Sequence, residues 1–375
     1  MIARSVGGKL FWWGGGRRGN RARRPWRSFT LTELMVVVSI ITIMATTVLV
    51  ATYQVIEDAK EARTRAQIAK LHQLIMEKWD SFRTRPVALS LPANMNPRFI
   101  ATRRLAALRE LMRMELPDRI TDLGDPPVSG IRPTALYRAY RRRVASAVGA
   151  NWYQPSQPVG GGTGCWSYLH EGAEALYLIV ANIRDGEKRA LDYFQPSEIG
   201  DTDGDGMLEI LDAWGRPIEF LRWAPGFVTN PGRDGGWGDF GVDDDGNGVV
   251  DDFREAGWPE TDDSSEIQIR DAQSAPDPFD PLKVDPRWSD ASARNDPFAL
   301  YPLIFSAGRD GVYAVDVDFD TQPGTPPMDL FRYADASLAI PNDPYTVIPV
   351  SPRRMFGRVT EGAIDNITNH FLSER

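Results

Sequence analysis

The sequence predicts an α+β fold: a long N-terminal α-helix, membrane-embedded in its first half, packed on a globular domain with a small antiparallel sheet and Asp-rich loops of calcium type. Three observations predict it. An 18-residue run without a charge, Leu34 to Ala51, passes into a helical pattern that meets no Gly or Pro before Pro86. Helical periodicity recurs between residues 99 and 183. From residue 191 short β-like runs alternate with Asp/Gly/Pro-rich loops, so helices and strands are segregated along the chain.

The charge pattern sorts the candidate partners. Residues 1–28 carry eight Arg or Lys and no acid, which leaves 35 basic against 51 acidic residues, a net −16, for the rest of the chain. A polyanionic body argues against nucleic acid and for cations. The basic leader has the sign of a cytoplasmic flank before a membrane segment. One cysteine, Cys165, allows no internal disulfide, and His72, His170 and His370 are far apart, so no zinc spacing is present.

The chain divides into a leader (1–28), a long helix (29–85, membrane span about 34–51), a mainly helical part (86–190) and a β-rich, Asp/Gly/Pro-rich part (191–375). The span is at the lower limit for a bilayer helix. A secretory signal peptide is the simpler reading, yet a 33-residue preface precedes the run and no clear A-x-A site follows it. Paired arginines at 17–18 and 23–24 lack the residues that follow a twin-arginine signal. Beyond the span, Ile68, Leu71, Ile75, Trp79 and Phe82 form one apolar stripe, with Glu57/Lys60 and Glu61/Arg65 on the polar side. Pro86 ends the helix.

Amphipathic helices follow at 99–116 and 134–148, where "YRRR" (140–143) reads as a solvated face. After the Gly-rich 158–164, the steps of three and four in Trp166, Leu169, Ala173, Leu176, Val180 and Ile183 predict a core helix. Strands are expected at "PIEFLRW" (217–223) and "YPLIFSAG" (301–308), and 257–297 reads as a long irregular excursion.

The stretch "SFTLTELMVVVSIITIMA" resembles the prepilin-type segment of type IV pilins and type II secretion pseudopilins: a basic leader, a small residue, Phe, three residues, Glu, then an apolar helix. The resemblance implies that a prepilin peptidase cuts between Ser28 and Phe29 and methylates the new amine of Phe29. It also implies that Glu33 faces the N-terminal amine of a neighbouring subunit as helices bundle into a fibre. A carboxylate in an apolar region is costly, and a cationic partner offsets that cost. The competing reading places Glu33 at the headgroup boundary. Further on, "LDAWGRPIEF" (211–220) and "YPLIFSAGRDGVY" (301–313) look like the D-x-W-G-x-P turn and the S-x-G-x-D-G strand and turn of major pseudopilins. Asp212, Trp214, Gly215 and Pro217 would shape the first, Ser306, Gly308, Asp310 and Gly311 the second. Ser28 stands where the family usually has Gly, and no proline interrupts the membrane helix near Val50.

"DTDGDGMLEILD" (201–212) has oxygen ligands at the alternating places of a calcium loop: Asp201, Asp203, Asp205, the Met207 carbonyl, Glu209 and, at the twelfth place, Asp212. Gly206 permits the sharp turn. An acidic surface turn without metal is the alternative. "DDDGNGVVDD" offers a second, less complete loop through Asp243, Asp245, Asn247, Val249 and Asp251, with Arg254 at its twelfth place. There is no G-x-S-x-G, Walker loop or H-E-x-x-H, and "GWGDFG" (236–241) does not follow a strand. No catalytic constellation is expected.

The function that the resemblance implies is structural: a pseudopilin-like subunit assembling into a type II secretion pseudopilus or type IV pilus-like fibre, with Ca²⁺ expected to stabilise its Asp-rich loops. Its partners would be a prepilin peptidase, other pilin or pseudopilin subunits and the bacterial inner membrane, which it crosses once with a cytoplasmic N-terminus and a periplasmic body. The alternatives are a minor or tip pilin, or a membrane-tethered calcium-binding enzyme or binding module with a pilin-type export segment.

Overall fold

The computed structural model describes residues 30–87, 95–128, 131–153, 165–224, 276–289, 297, 299–313 and 366–371, with short pieces at 315–316, 332–333, 344–345, 347–348 and 358–359. Two units are distinguished, Met1–Val55 and Ile56–Arg375. The leader, the expected cut at Ser28 and Phe29, and the second Asp-rich loop with Asp243, Asp245, Asn247, Val249 and Asp251 lie outside the described residues.

Helix α1 runs Leu31–Thr84. Its first turn is closed by a T-x-x-E box: the Thr30 N–H donates to Glu33 Oε2 at 2.9 Å, and the Glu33 N–H donates to Thr30 Oγ1 at 3.2 Å. In the first unit every described side chain is exposed, including Leu34, Val36, Ile40, Ile43 and Leu49. The hydroxyls within this run are turned back on the helix. Ser39, Thr42, Thr46 and Thr52 donate to carbonyls four residues earlier at 2.7–2.8 Å, and Thr47 to Met44 O at 2.9 Å. The polar atoms are satisfied locally, so the outer surface is apolar. This helix is long and apolar enough to cross a membrane.

In the second unit the expected stripe Ile68, Leu71, Ile75, Trp79 and Phe82 is buried in the core. Trp79 meets Phe279 edge-on at 4.8 Å and Tyr301 at 5.0 Å between ring centroids. Helix α2 (Pro97–Glu115) starts where Asn96 accepts the Arg98 N–H, with proline in its first turn. Helix α3 (Ile120–Gly124) is one buried turn, and α4 (Ala135–Ala147) is capped by Thr134, which accepts the Tyr137 N–H at 3.1 Å.

The amphipathic reading of α2 is corrected by its last eleven positions, Leu105–Glu115, which are all buried, charges included. They are paired. Arg109 donates to Asp277 at 3.2 Å and Asp285 at 3.1 Å, Arg113 to Glu110 at 2.7 Å, and Arg85 to Glu115 at 2.6 and 2.8 Å. Asp277 and Asp285 come from the region read as an irregular excursion, of which 276–289 is an ordered turn ending in a 3-10 helix, Pro286–Ser289. In "YRRR" the tyrosine, Tyr140, is fully buried and donates to Glu115 O, so only the arginines form the solvated face.

Helix α5 (Glu171–Asn182) begins later than the stripe implied. His170 adopts φ 63°, and Leu169 is left 49% exposed before the helix starts. From Gly172 to Val180 every residue is buried. Short hairpins β1 (Arg184–Asp185) with β2 (Lys188–Arg189) and β3 (Ile199–Gly200) with β4 (Glu209–Ile210) follow.

The two expected strands, β5 (Glu219–Ala224) and β6 (Tyr301–Ser306), pair antiparallel with Phe220 opposite Ile304 and an irregularity between Leu221 and Ala224. Further antiparallel two-residue ladders are β7 (Val315–Asp316) with β10 (Arg358–Val359) and β8 (Arg332–Tyr333) with β9 (Val347–Ile348). Strand β11 (Ile367–Thr368) lies on the other edge of β6, giving a three-stranded sheet of order β11-β6-β5. Helix α5 packs on β4 and β5. Gly172 makes this possible, because a Cβ there would meet Phe220 O at 2.6 Å. The body is thus α+β with small antiparallel sheets, preceded by a long apolar N-terminal helix, a layout compatible with a pilin.

Candidate functional site

The Asp-rich loop between β3 and β4 folds around its own carboxylates. Asp201 Oδ1 accepts the Gly204 N–H at 2.7 Å and its Oδ2 the Gly206 N–H at 3.1 Å. Gly206 takes φ 100°, which supplies the sharp turn expected at the sixth place of such a loop. Asp205 Oδ1 accepts the Met207 N–H at 2.7 Å, and its Oδ2 reaches outside the loop to the Ser167 N–H at 2.7 Å. Glu209 is fully buried and accepts the Thr202 N–H at 3.1 Å and the Thr202 hydroxyl at 3.2 Å.

Two overlapping groups of carboxylates result. Asp201, Asp203 and Asp205 offer oxygens within 4.8 Å of one another, and Asp203 and Glu209 do the same with Glu174. Glu174 belongs to α5, not to the loop. Its Oε2 accepts the Trp166 indole N–H, while its Oε1, like Asp203 Oδ2, is buried with no hydrogen-bond partner. Burial, with the charges of Asp205, Asp203 and Glu209, raises the Glu174 carboxyl well above the usual range. Burial also raises Asp205 and pushes Glu209 up to about 7, against the lowering effect of the Thr202 bonds on Glu209.

Asp212, expected at the twelfth place, is held elsewhere. Its Oδ1 accepts the N–H groups of Trp214 at 2.8 Å and Arg216 at 3.0 Å, and its Oδ2 accepts the Ser306 hydroxyl at 2.6 Å. It is the knot of the D-x-W-G turn. Met207 packs its side chain into the core.

The same turn joins the two motifs that lie some ninety residues apart. Arg216 donates to Gly308 O at 2.7 Å, and the Tyr313 hydroxyl donates to Pro217 O at 2.6 Å. The turn also docks on α1: the Ala213 N–H donates to Thr64 Oγ1 at 3.1 Å, Gln67 Nε2 to Leu211 O at 3.3 Å, and the Trp214 indole to Glu57 Oε2 at 2.8 Å. Glu57 bonds Lys60 at 3.0 Å, as its spacing predicts, but it is buried and also recruited by Trp214 and Arg309, so it is not on a solvated face.

No protein-family model, curated protein or solved structure matches this chain.

Beside the acidic loop, His170 Nδ1 and Glu219 Oε1 lie 2.6 Å apart, and Glu219 Oε2 accepts the Ala173 N–H at 3.1 Å. Burial opposes charge on His170, but Glu219, Glu209 and Asp203 outweigh it and raise its pKa. These contacts fix the first turn of α5, and with it Glu174. Two of the residues that define the region, Glu174 and Thr64, escaped the sequence reading. The available signal was a carboxylate inside the otherwise apolar "EGAEALYLIVAN" of α5.

Proposed function

We propose that this chain is a structural, pseudopilin-like subunit of a type II secretion pseudopilus or type IV pilus-like fibre. One observation carries the reading: the first half of α1 presents an apolar surface on every side while the same helix, further along, supplies core residues. Such a surface calls for lipid or other apolar helices around it, since exposed patches of this size are not sustained in water. A pilin-type life history provides both, first the inner membrane and then neighbouring subunits.

In this reading Ser28 and Phe29 form the processing site, and Glu33 meets the Phe29 amine of a neighbour. The body lies on the periplasmic side, where calcium is available to the Asp-rich loop. The long-range joining of the D-x-W-G and S-x-G-x-D-G motifs through Asp212 and Ser306 supports a pseudopilin-like body. Nothing in the work of such a subunit is catalytic. Its role is to pack.

The test is mass spectrometry of the mature N-terminus of protein extracted from membranes. N-methyl-Phe29 is the expected first residue. An intact Met1, or a chain starting after Ala51, overturns the reading.

A further inference from the structure

We infer that the Asp-rich loop binds a calcium ion whose coordination is completed by Glu174 from helix α5 and not by Asp212. The inference deepens the calcium part of the reading above and is independent of the fibre part, because it rests only on contacts inside the second unit.

Glu174 is 0% exposed, and its Oε1 has no hydrogen-bond donor although its other oxygen is held by the Trp166 indole. A buried carboxylate oxygen without a partner is costly, and native structures seldom leave one so. The carboxylate lies at the loop: Glu174 offers an oxygen within 4.8 Å of those offered by Asp203 and Glu209. Asp203 Oδ2 is the second buried, unpartnered oxygen, and Asp203 also belongs to the group with Asp201 and Asp205. The two residues that carry the orphaned oxygens therefore meet from two separate elements. A cation there satisfies both.

The donor chemistry selects the ion. All the side-chain donors are carboxylate oxygens, which favours hard cations and disfavours zinc or copper, whose sites draw on imidazole and thiolate. Calcium binds six to eight oxygens at about 2.3–2.6 Å, so two of its ligands lie up to roughly 5 Å apart, whereas across a magnesium octahedron the limit is roughly 4.2 Å. A set of carboxylates from a loop and a helix, joined by a loop carbonyl, suits the larger ion with its adaptable geometry, whereas magnesium demands a near-ideal octahedron and keeps several waters. The Met207 carbonyl, at the seventh place of the loop, is the remaining protein donor in such loops.

Asp212 is unsuited to the role that its position implied. Two backbone N–H groups and the Ser306 hydroxyl already occupy its oxygens. Glu174 replaces it from a different element, so the ion clamps the loop between β3 and β4 to the helix that packs on β4 and β5. The Ser167 N–H donating to Asp205 is a second tie along the same seam.

The experiment uses the full chain in detergent. Bound calcium is counted after equilibrium dialysis, and the melting temperature is recorded with calcium, with magnesium and with chelator. Calcium should raise the melting temperature and magnesium at the same concentration should not. Glu174→Gln should lose one calcium per chain and most of the thermal response, and Asp203→Asn should do the same if the glutamine variant fails to fold. Asp212→Asn should keep the ion. Because the count is compared with the wild type, any calcium held by 243–251 cancels. Glu174→Gln and Asp203→Asn chains that retain the full calcium count, an Asp212→Asn chain that loses it, or a magnesium response equal to that of calcium overturns the inference. A normal N-terminus with no calcium effect would sink this inference and leave the fibre reading standing.

Discussion

The backbone N–H of Thr30 and the carboxylate of Glu33 meet at 2.9 Å, and the Thr30 hydroxyl donates to the same Oε2 at 2.9 Å. In the chain by itself, the acid at the head of the apolar run is therefore part of a helix cap. Capping and charge are separable, because Gln serves at the third position of such a box. Glu33→Gln should keep the helix start and membrane insertion yet fail to enter fibres, whereas Glu33→Ala should lose both the cap and assembly. Co-purification with assembled fibres reads the difference. Normal incorporation of the Gln variant would leave capping as the whole role of Glu33.

Asp212 and Ser306 form a buried bond between the D-x-W-G turn and the end of β6. Ser306→Ala leaves one carboxylate oxygen without its donor and should lower stability by about 1–3 kcal/mol. Urea unfolding in detergent measures it. Calcium binding at saturating ion should not change.

Gly172 sits where α5 approaches β5. Gly172→Ala places a methyl 2.6 Å from Phe220 O and 2.9 Å from the Glu219 carboxylate, so the helix must move away from the strand. The expected cost is about 1–3 kcal/mol, the usual range for overpacking. A melting temperature equal to the wild type would show that α5 does not sit this closely on the sheet.

The C-terminal segment should respond to acid. Asn369 Oδ1 accepts the Ile304 N–H at 2.7 Å, which orients its amide to donate to His72 Nδ1 at 3.0 Å and Pro302 O at 2.9 Å. His72 must be neutral to accept. Burial, against the opposing bond to Pro302 O, lowers His370 to about 4, and burial also lowers His72. Between about 4 and 6.5 the unfolded chain binds a proton at residue 370 that the folded chain refuses, so stability is full above 6.5 and falls as the pH drops towards 4. From pH 7 to pH 5 the loss attributable to His370 is about 2 kcal/mol, and His370→Gln should remove that share of the slope. An unchanged slope in urea titrations would show that another group titrates.

Much of the helical architecture was legible in local spacing. Ile68, Leu71, Ile75, Trp79 and Phe82 read as one face because a 3.6-residue period projects them together, and the helices near 99–116 and 134–148 show the same period. Pairings between distant residues were not legible. Nothing near Arg109 in the chain announces Asp277 and Asp285, its partners, which follow more than 160 residues later. The candidate site divided along the same line. The loop carboxylates share a local spacing that can be read directly, whereas Glu174 arrives from an earlier helix and only folding brings it near. Asp212 shows the converse: one residue matches two motifs, and in the fold its Oδ1 is taken by the turn and its Oδ2 by Ser306 of β6.

Arg222 of β5 carries a consequence for the order of events during synthesis. Its guanidinium donates to Leu116 O at 2.8 Å and Asp122 at 2.6 Å, and its backbone N–H donates to Asp118 at 2.9 Å, all in a buried setting. Burial against this guanidinium leaves Asp118 raised to about 6 and Asp122 lowered. The stretch from 116 to 122 precedes Arg222 by about a hundred residues, so these contacts cannot form until β5 has been made, although Arg113 and Arg119 already lie beside the same acids. A chain that stops ahead of residue 222 loses all three of these buried contacts at once, so it should be far less stable than one that ends after β5.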